Sequence, residues 1–275
     1  MCRLEGKVAI ITGGASGIGA ATAKLFVQHD AKVVIADIQD ELGQSLCNEL
    51  GTKNIIYVHC NVTIESDIIN VVDTAVSNYG KLDIMFNNAG ISDDKNREIL
   101  NYDIEAFKRV FDVNVYGAFL GAKHAARVMI PNKKGVILFT ASVATATAGE
   151  STHAYSSSKH ASVGLMKNLC VELGQYGIKV NCISPGAIPT PILTDALNMN
   201  KSEMEKVLSS VGVLKEAILE VEDIAEAALY LSSDASKFVN GVNLVLDGGY
   251  STTNMSFTSA LIKCLMNGTT NHIDQ

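Results

Sequence analysis

Seven short apolar runs punctuate the chain: Val8–Ile11, Val33–Ala36, Ile55–His59, Leu82–Phe86, Gly135–Thr140, Lys179–Ile183 and Val242–Leu246. They are rich in β-branched residues and continuous rather than alternating, which predicts strands buried on both faces. Between them apolar residues recur at helical spacing, as at Ala20, Ala23, Leu25 and Phe26. No linker, repeat or low-complexity tract interrupts the alternation. The pattern predicts one α/β domain over residues 1–275, a seven-stranded doubly wound parallel sheet with helices on both faces. Ligands in such a sheet sit at the carboxyl ends of the strands. Two stretches depart from the rhythm. Residues 186–215 carry prolines at 189 and 191 and then a weakly amphipathic piece, which reads as a loop closing over a ligand. Residues 250–275 form a tail with Phe257, Leu261, Ile262 and Leu265 at helical spacing. A frayed end and packing against another subunit are both open for it.

Composition narrows the function. The 275 residues are 47% hydrophobic, enough for one large core, and carry a net charge of −7. That acidity argues against nucleic acid or an anionic membrane as partner, since both reward clustered Lys and Arg. No apolar run reaches the roughly 18 residues of a membrane span. The first strand starts almost at once, so no signal peptide is expected. Cys2, Cys47, Cys60, Cys170, Cys182 and Cys264 show no paired spacing, so free thiols in a reducing, cytoplasmic setting are expected. No Cys/His cluster has ligand spacing, and no metal is expected.

The first strand runs into Thr12-Gly-Gly-Ala-Ser-Gly-Ile-Gly19 and then a helical pattern. A strand, a glycine turn and a helix N-terminus form a phosphate site, because backbone N–H groups and the positive helix end face the anion. The spacing of Gly13, Gly17 and Gly19 is Gly-x-x-x-Gly-x-Gly; the competing reading is a tight turn with no ligand. Asp37 ends the second strand, 18 residues after Gly19. A carboxylate there can accept from the hydroxyls of an adenosine ribose and would repel a 2′-phosphate, which favours NAD over NADP. A helix cap or turn is the alternative for Asp37.

Tyr155 and Lys159 stand i, i+4 in Tyr-Ser-Ser-Ser-Lys, so on a helix they share a face. An ammonium beside a phenol favours the phenolate, and such a pair can move a proton on and off an alcohol oxygen. Helix surfaces carry the same spacing by coincidence, so the pair gains weight only from the nucleotide motif upstream.

Together the motifs resemble the short-chain dehydrogenase/reductase family, over about Leu4 to Tyr250. They come in the family's order: the glycine motif with Gly13, Ser16, Gly17, Ile18 and Gly19, then Asn87-Asn-Ala-Gly90, Asn114, Ser142, Tyr155 with Lys159, and Ser184-Pro-Gly-Ala-Ile-Pro-Thr190. The stretches His153–His160 and Val171–Pro185 are similar to the plant secoisolariciresinol-dehydrogenase-like group, whose members oxidise alcohols of lignans, terpenoids and hormone precursors. The resemblance implies a single Rossmann-type domain and a catalytic tetrad of Asn114, Ser142, Tyr155 and Lys159. Tyr155 would act as general base, Lys159 would lower its pKa and bond the nicotinamide ribose, Ser142 would hold the substrate oxygen, and Asn114 would hold a water beside Lys159; a kink in a long helix after Phe111-Asp-Val is the backbone reading of Asn114 and is compatible with that role. Asp37, Ile38, Asn61 and Val62 would line the adenine half of NAD; Asn61 stands where the family usually has Asp, and its amide oxygen can accept the same bond. Asn88, Ala89 and Gly90 would approach the ribose, and Ile188 and Thr190 the carboxamide. Asn87 reads instead as an amide bridging strands, and His153 and His160 as surface or supporting residues.

On the substrate side, Glu150, Ser151, Thr152, residues 91–96, Met199 and the 186–215 loop would form walls. Few polar anchors and small residues at Ala144, Ala146, Ala148 and Gly149 suit a small hydrophobic alcohol, lactol or carbonyl compound. The charged run Asp93–Glu98 reads as a solvated loop. The resemblance implies an NAD-dependent terpenoid or iridoid alcohol or lactol dehydrogenase. Its alternative is a protein that binds NAD and guides a non-redox cyclisation or isomerisation of a reactive enol. It also implies a homotetramer built on the Tyr155 helix and a long helix over Ile104–Ile130; Ala161–Met166 is small and apolar enough for an interface, and core packing explains it equally well.

Overall fold

A computed structural model describes residues 2–51, 53–93, 98–190, 199–215 and 217–253. All seven expected strands are present: β1 Val8–Thr12, β2 Lys32–Asp37, β3 Ile55–His59, β4 Ile84–Asn87, β5 Gly135–Thr140, β6 Ile178–Pro185 and β7 Asn243–Leu246. They form one sheet in the order β3-β2-β1-β4-β5-β6-β7, and every neighbouring pair is parallel. β1, β2 and β4 are buried almost throughout, whereas the edge strands β3 and β7 are largely half-buried. The continuous apolar runs thus follow from burial on two faces.

Alternate residues of one strand feed different cores. Val8 and Ile10 of β1, with Val34 and Ala36 of β2, pack against α3 (Glu65–Tyr79), α5 (Ala118–Asn132) and α6 (His153–Gly174). Ala9, Ile11, Val33 and Ile35 point the other way, onto α1 (Gly17–Gln28), α2 (Asp40–Leu50) and α8 (Val221–Ser232). From β1 the chain steps outward to β2 and β3, then returns to place β4 on the other side of β1. The reversal opens a crevice between the carboxyl ends of β1 and β4, the place where such sheets bind ligands.

The helix expected over Ile104–Ile130 is interrupted. It comprises α4 (Ile104–Phe111), a π-helical turn (Asp112–Gly117) and α5, and Asn114 sits in the widened turn, buried. A second difference lies in the stretch read as a substrate loop: it contains α7, Lys201–Val211, whose first turn is closed by reciprocal hydrogen bonds between Asn200 and Glu203. Residues 191–198 and the tail beyond 253 lie outside the described residues.

Asn87 bridges strands as expected, its Nδ2 donating to the Leu138 carbonyl of β5 at 3.4 Å. Helix α5 lies so close above it that a Cβ on Gly121 would stand 1.9 Å from Asn87 Oδ1. Gly121→Ala must therefore displace the buried Asn87 amide, with its bond to Leu138, or lift α5 from the sheet. The expected outcome is a loss of about 1–3 kcal/mol in denaturant unfolding; an unchanged midpoint would show that this contact is soft.

Candidate functional site

The crevice is stapled from below. Thr12 Oγ1, at the end of β1, accepts from the backbone N–H groups of Asn88 and Ala89 at 3.0 and 3.1 Å. Asn88 Nδ2 donates back to the carbonyls of Thr12 and Gly13 at 3.1 and 3.2 Å, and its Oδ1 accepts from Thr140 Oγ1 of β5 at 2.9 Å. One amide thus ties the ends of three strands together. Thr12 and Thr140 escaped the sequence reading because a hydroxyl at a strand end carries no pattern of its own.

The glycine turn sits on this staple. A Cβ on Gly13 would lie 2.9 Å from the Ala89 Cα, and one on Gly19 would lie 2.1 Å from the Gly13 carbonyl oxygen. Gly17 has φ +52, opens α1, and would bring a Cβ near Thr190 alone, at 3.8 Å. Ser16 makes no side-chain cap, and the first turn of α1 holds no acidic residue. The helix end is therefore left electropositive, which fits an anion at Gly17, Ile18 and Gly19.

Asp37 closes the far side of the turn. Its Oδ2 accepts from the Ala15 N–H at 3.0 Å and its Oδ1 from the Gln39 N–H at 3.0 Å, in a buried position. Gln39 Nε2 also donates to Oδ1, at 3.3 Å; two carboxylate oxygens offer about four acceptor sites, which leaves capacity for a further donor beside the turn role. Ile38 beside it is 61% exposed, and Val62 is buried against Gly117. Asn61 differs from the expectation. Its Oδ1 already accepts from the N–H and hydroxyl of Thr63, at 3.1 and 2.8 Å. The amide oxygen folds back on its own turn and is not the open acceptor a carboxylate would be.

Tyr155 and Lys159 lie on the first turns of α6 and face inward together. The Lys159 ammonium is 5.4 Å from the Tyr155 ring centroid and is only 4% exposed. It donates to the Thr140 carbonyl at 2.8 Å, the residue that the Asn88 staple holds. A side chain on Gly90 would come within 3.3 Å of Lys159 Nζ and of Asn114 Oδ1, so glycine leaves the lysine its room. Ser142 ends the segment after β5 and its Oγ accepts from the Ala144 N–H at 3.2 Å. The Ser142 hydroxyl beside the Tyr155 phenol opposes the upward push of burial on it. Asn114 uses its side chain on protein partners: Oδ1 accepts from the Ile91 N–H at 2.8 Å, while Nδ2 donates to the Ile91 carbonyl at 2.9 Å and to Ser158 Oγ at 3.0 Å.

The electrostatics differ from the sequence expectation of a phenol lowered by its lysine. Burial pushes Tyr155 above its ordinary value, with Ser142 opposing, and pushes Lys159 down to about 8. Both shifts have one cause, desolvation of the charged form. Ile188 is buried and Thr190 half-buried, at the crevice side of the chain after β6. His153 and His160 are exposed; the His153 ring lies 5.4 Å from that of Tyr102, and His160 Nδ1 contacts the Ser156 carbonyl.

Two substrate-side readings change. Thr152 is buried and caps α6, so it turns toward the helix rather than outward as a wall. Asp93 is not solvated: it is buried and accepts from Thr152 and Tyr102. Residues 94–97 lie outside the described residues. Glu150 is exposed and accepts from Tyr250 Oη at 2.6 Å, and Met199 is half-buried.

A glycine-lined crevice at the reversal of a parallel sheet, abutting a half-buried tyrosine and a buried lysine one helical turn apart, defines a Rossmann-type nucleotide-dependent oxidoreductase. A family model described as enoyl-(acyl carrier protein) reductase matches residues 13–251. Relatives include short chain aldehyde dehydrogenase 1 of Euphorbia lathyris, 60% identical over 95% of this chain and 93% of its own. Secoisolariciresinol dehydrogenase of Forsythia intermedia is 56% identical (92% and 91% covered), and the mitochondrial borneol dehydrogenase of Lavandula x intermedia 55% identical (92% and 93%). A crystal structure of levodione reductase superposes with a TM-score of 0.86 at 29% identity, covering 92% of this chain and all of that one. The chain belongs to the short-chain dehydrogenase/reductase family, and the family and fold imply a nicotinamide nucleotide cofactor.

Burying the Lys159 charge has a measurable cost. The gap between the unfolded value of 10.5 and about 8 amounts to on the order of 3 kcal/mol. The folded state holds fewer protons than the unfolded one between these values, so wild-type stability rises with pH across that window and carries the full penalty below it. Without nucleotide, Lys159→Met is expected to unfold about 1–3 kcal/mol later than wild type at pH 7, after loss of the Thr140 bond. Its advantage should shrink as pH climbs from about 8 toward 10.5. Equal or lower stability of the variant at pH 7 would contradict a desolvated ammonium.

Proposed function

We propose that the chain is an NAD-dependent dehydrogenase that oxidises a secondary alcohol or lactol of a small hydrophobic, terpenoid-like substrate to the ketone or lactone. The observation that carries this reading is the buried Lys159 ammonium, 5.4 Å from the Tyr155 ring centroid, on the helix that follows Ser142 and beside the nucleotide crevice. The substrate class draws on relatives named for oxidation of secoisolariciresinol and borneol. Small residues near Ser142, among them buried Ala144, are compatible with such a substrate.

The residues present fit the nucleotide. Gly13, Ser16, Gly17, Ile18 and Gly19 would hold the diphosphate at the uncapped end of α1. Asp37 would take the ribose hydroxyls, with Ile38, Asn61 and Val62 around the base. Asn88, Ala89 and Gly90 would flank the second ribose along with Tyr155 and Lys159, and Ile188 and Thr190 would meet the carboxamide. When bound, the oxidised nicotinamide ring supplies the hydride acceptor and a positive charge.

Within the chain, Tyr155 as phenolate takes the hydroxyl proton of the alcohol, and Ser142 donates to the same substrate oxygen. Lys159, with a pKa of about 8, gains or loses a proton near neutral pH and can pass the proton onward. Asn114 fixes Ile91 against this cluster, and its backbone lies beside Ser162. A homotetramer is compatible with exposed Tyr116, Phe119 and Val171 on the α4–α5 and α6 segments; light scattering reads it directly.

Incubation with borneol and NAD is expected to yield ketone and NADH in equal amounts, and Tyr155→Phe to abolish turnover by at least about a thousand-fold while NAD still binds. Near-normal turnover by that variant would sink the assignment, and product without NADH would mean a non-redox activity. Cofactor choice is separately readable: binding titrations should favour NAD over NADP by at least ten-fold. Tighter NADP binding would refute the role given to Asp37.

A further inference from the structure

The first turn of α6 is held by a device that reaches outside the tetrad. A helix start leaves backbone N–H groups without intrahelical partners. In α6 the Ala154 N–H donates to the phenol oxygen of Tyr102 at 3.1 Å, and the Tyr155 N–H donates to Thr152 Oγ1 at 3.4 Å. Each of these hydroxyls then donates its own hydrogen to Asp93, Tyr102 to Oδ2 and Thr152 to Oδ1. Two helix amides are thus relayed through two hydroxyls onto one buried carboxylate. The anion lies at the positive end of a 22-residue helix, where the dipole favours it. Thr152 alone would be an ordinary cap; the carboxylate behind it fixes which way both hydroxyls point.

The same carboxylate is anchored to the rest of the site. Two residues upstream, both backbone groups of Ile91 are gripped by the Asn114 side chain in the π-helical turn. The segment Ile91–Asp93 is therefore pinned at one end to Asn114 and at the other to the backbone of Tyr155. It follows directly from Gly90, whose missing side chain makes room for Lys159. Tyr102 is braced in turn by Phe107, at 6.2 Å between ring centroids, and by His153.

We infer that Asp93 is a positioning residue: through Thr152 and Tyr102 it sets the depth and orientation of the first turn of α6, and so places the Tyr155 phenol against Ser142 and Lys159. The inference rests on Tyr155 being the group that moves the proton. A shift of a fraction of an ångström at a proton-transferring oxygen acts on the chemical step, whereas the nucleotide cradle around Gly13–Gly19 and Asp37 makes no contact with Asp93.

The test compares Asp93→Asn, Tyr102→Phe, Thr152→Val and Thr152→Ser with wild type, using NAD and borneol. An asparagine keeps the shape but offers one acceptor for two hydroxyls, so one relay must break. Asp93→Asn is expected to lower kcat at least ten-fold, with KM for borneol and Kd for NAD within three-fold. Tyr102→Phe and Thr152→Val should each show part of that loss, and Thr152→Ser should restore near-wild-type kcat. Amide hydrogen exchange at Ala154 and Tyr155 should accelerate at least ten-fold in Asp93→Asn, with Met166 on the same helix unchanged. A kcat within two-fold of wild type overturns the inference. So does a fall in kcat matched by equal losses of NAD affinity and thermal midpoint, which would make Asp93 general scaffold. If wild type oxidises no borneol, the substrate reading fails by itself and the exchange rates alone decide on Asp93: unchanged protection at Ala154 and Tyr155 overturns it.

Discussion

The architecture of the site turns on a lysine ammonium taken out of water. Lys159 is nearly inaccessible and, among the described residues, its one hydrogen-bond acceptor is the Thr140 carbonyl. A buried charge with so little compensation costs several kcal/mol, and burial moves its pKa far down. Its surroundings limit that cost without removing it. Gly90 leaves a space, the Asn88 amide holds Thr140 in place, and the π-helical turn aims Asn114 at Ile91. These partners come from β4, β5 and the α4–α5 segment, so the lysine is fixed only when the whole sheet is assembled.

That dependence gives the staple at the crevice floor a second meaning. Thr12 ends β1 where the nucleotide turn begins, Asn88 follows β4 and Thr140 ends β5. Through them the glycine turn is connected by hydrogen bonds to the carbonyl that receives Lys159. The sheet order puts β1 and β4 side by side at the reversal, which is the only reason these residues, distant in sequence, can meet. A displacement of the glycine turn would be felt at Thr140 within three hydrogen bonds.

Much of this was readable from the sequence, and the reason is periodicity. The strands announced themselves because burial on both faces forces continuous apolar runs, and the end of β6 shifted only because Ser184 and Pro185 continue the ladder. Gly13, Gly17, Asp37, Tyr155 and Lys159 stood at motif spacings that local geometry explains. The hidden features are those in which a residue's partner lies far along the chain. Asp93 opens a charged run, and only its contacts with Thr152, 59 positions away, reveal a buried carboxylate. A kink after Phe111-Asp-Val is legible at Asn114, but its π-helical form is not, since one added residue per turn leaves composition unchanged. Asn61 looked like a substitute acceptor, but its oxygen is claimed two residues on by Thr63. The Asn200–Glu203 box that starts α7 was present in the sequence and was masked by the prolines before it.

The opposing expectation for Tyr155 has the same origin. Read as an isolated i, i+4 pair, the lysine should lower the phenol; buried, both groups are driven toward their neutral forms, the phenol upward and the amine downward. Proton transfer from phenol to amine would create two desolvated charges, which only a close pairing or a further positive charge repays. Ser142, beside the phenol, opposes the upward shift. A cationic ring seated beside Tyr155 would oppose it further, and would do so only when the crevice is filled. On the role proposed for Tyr155, the burial that raises its pKa would hold the base in reserve until a cationic ring fills the crevice.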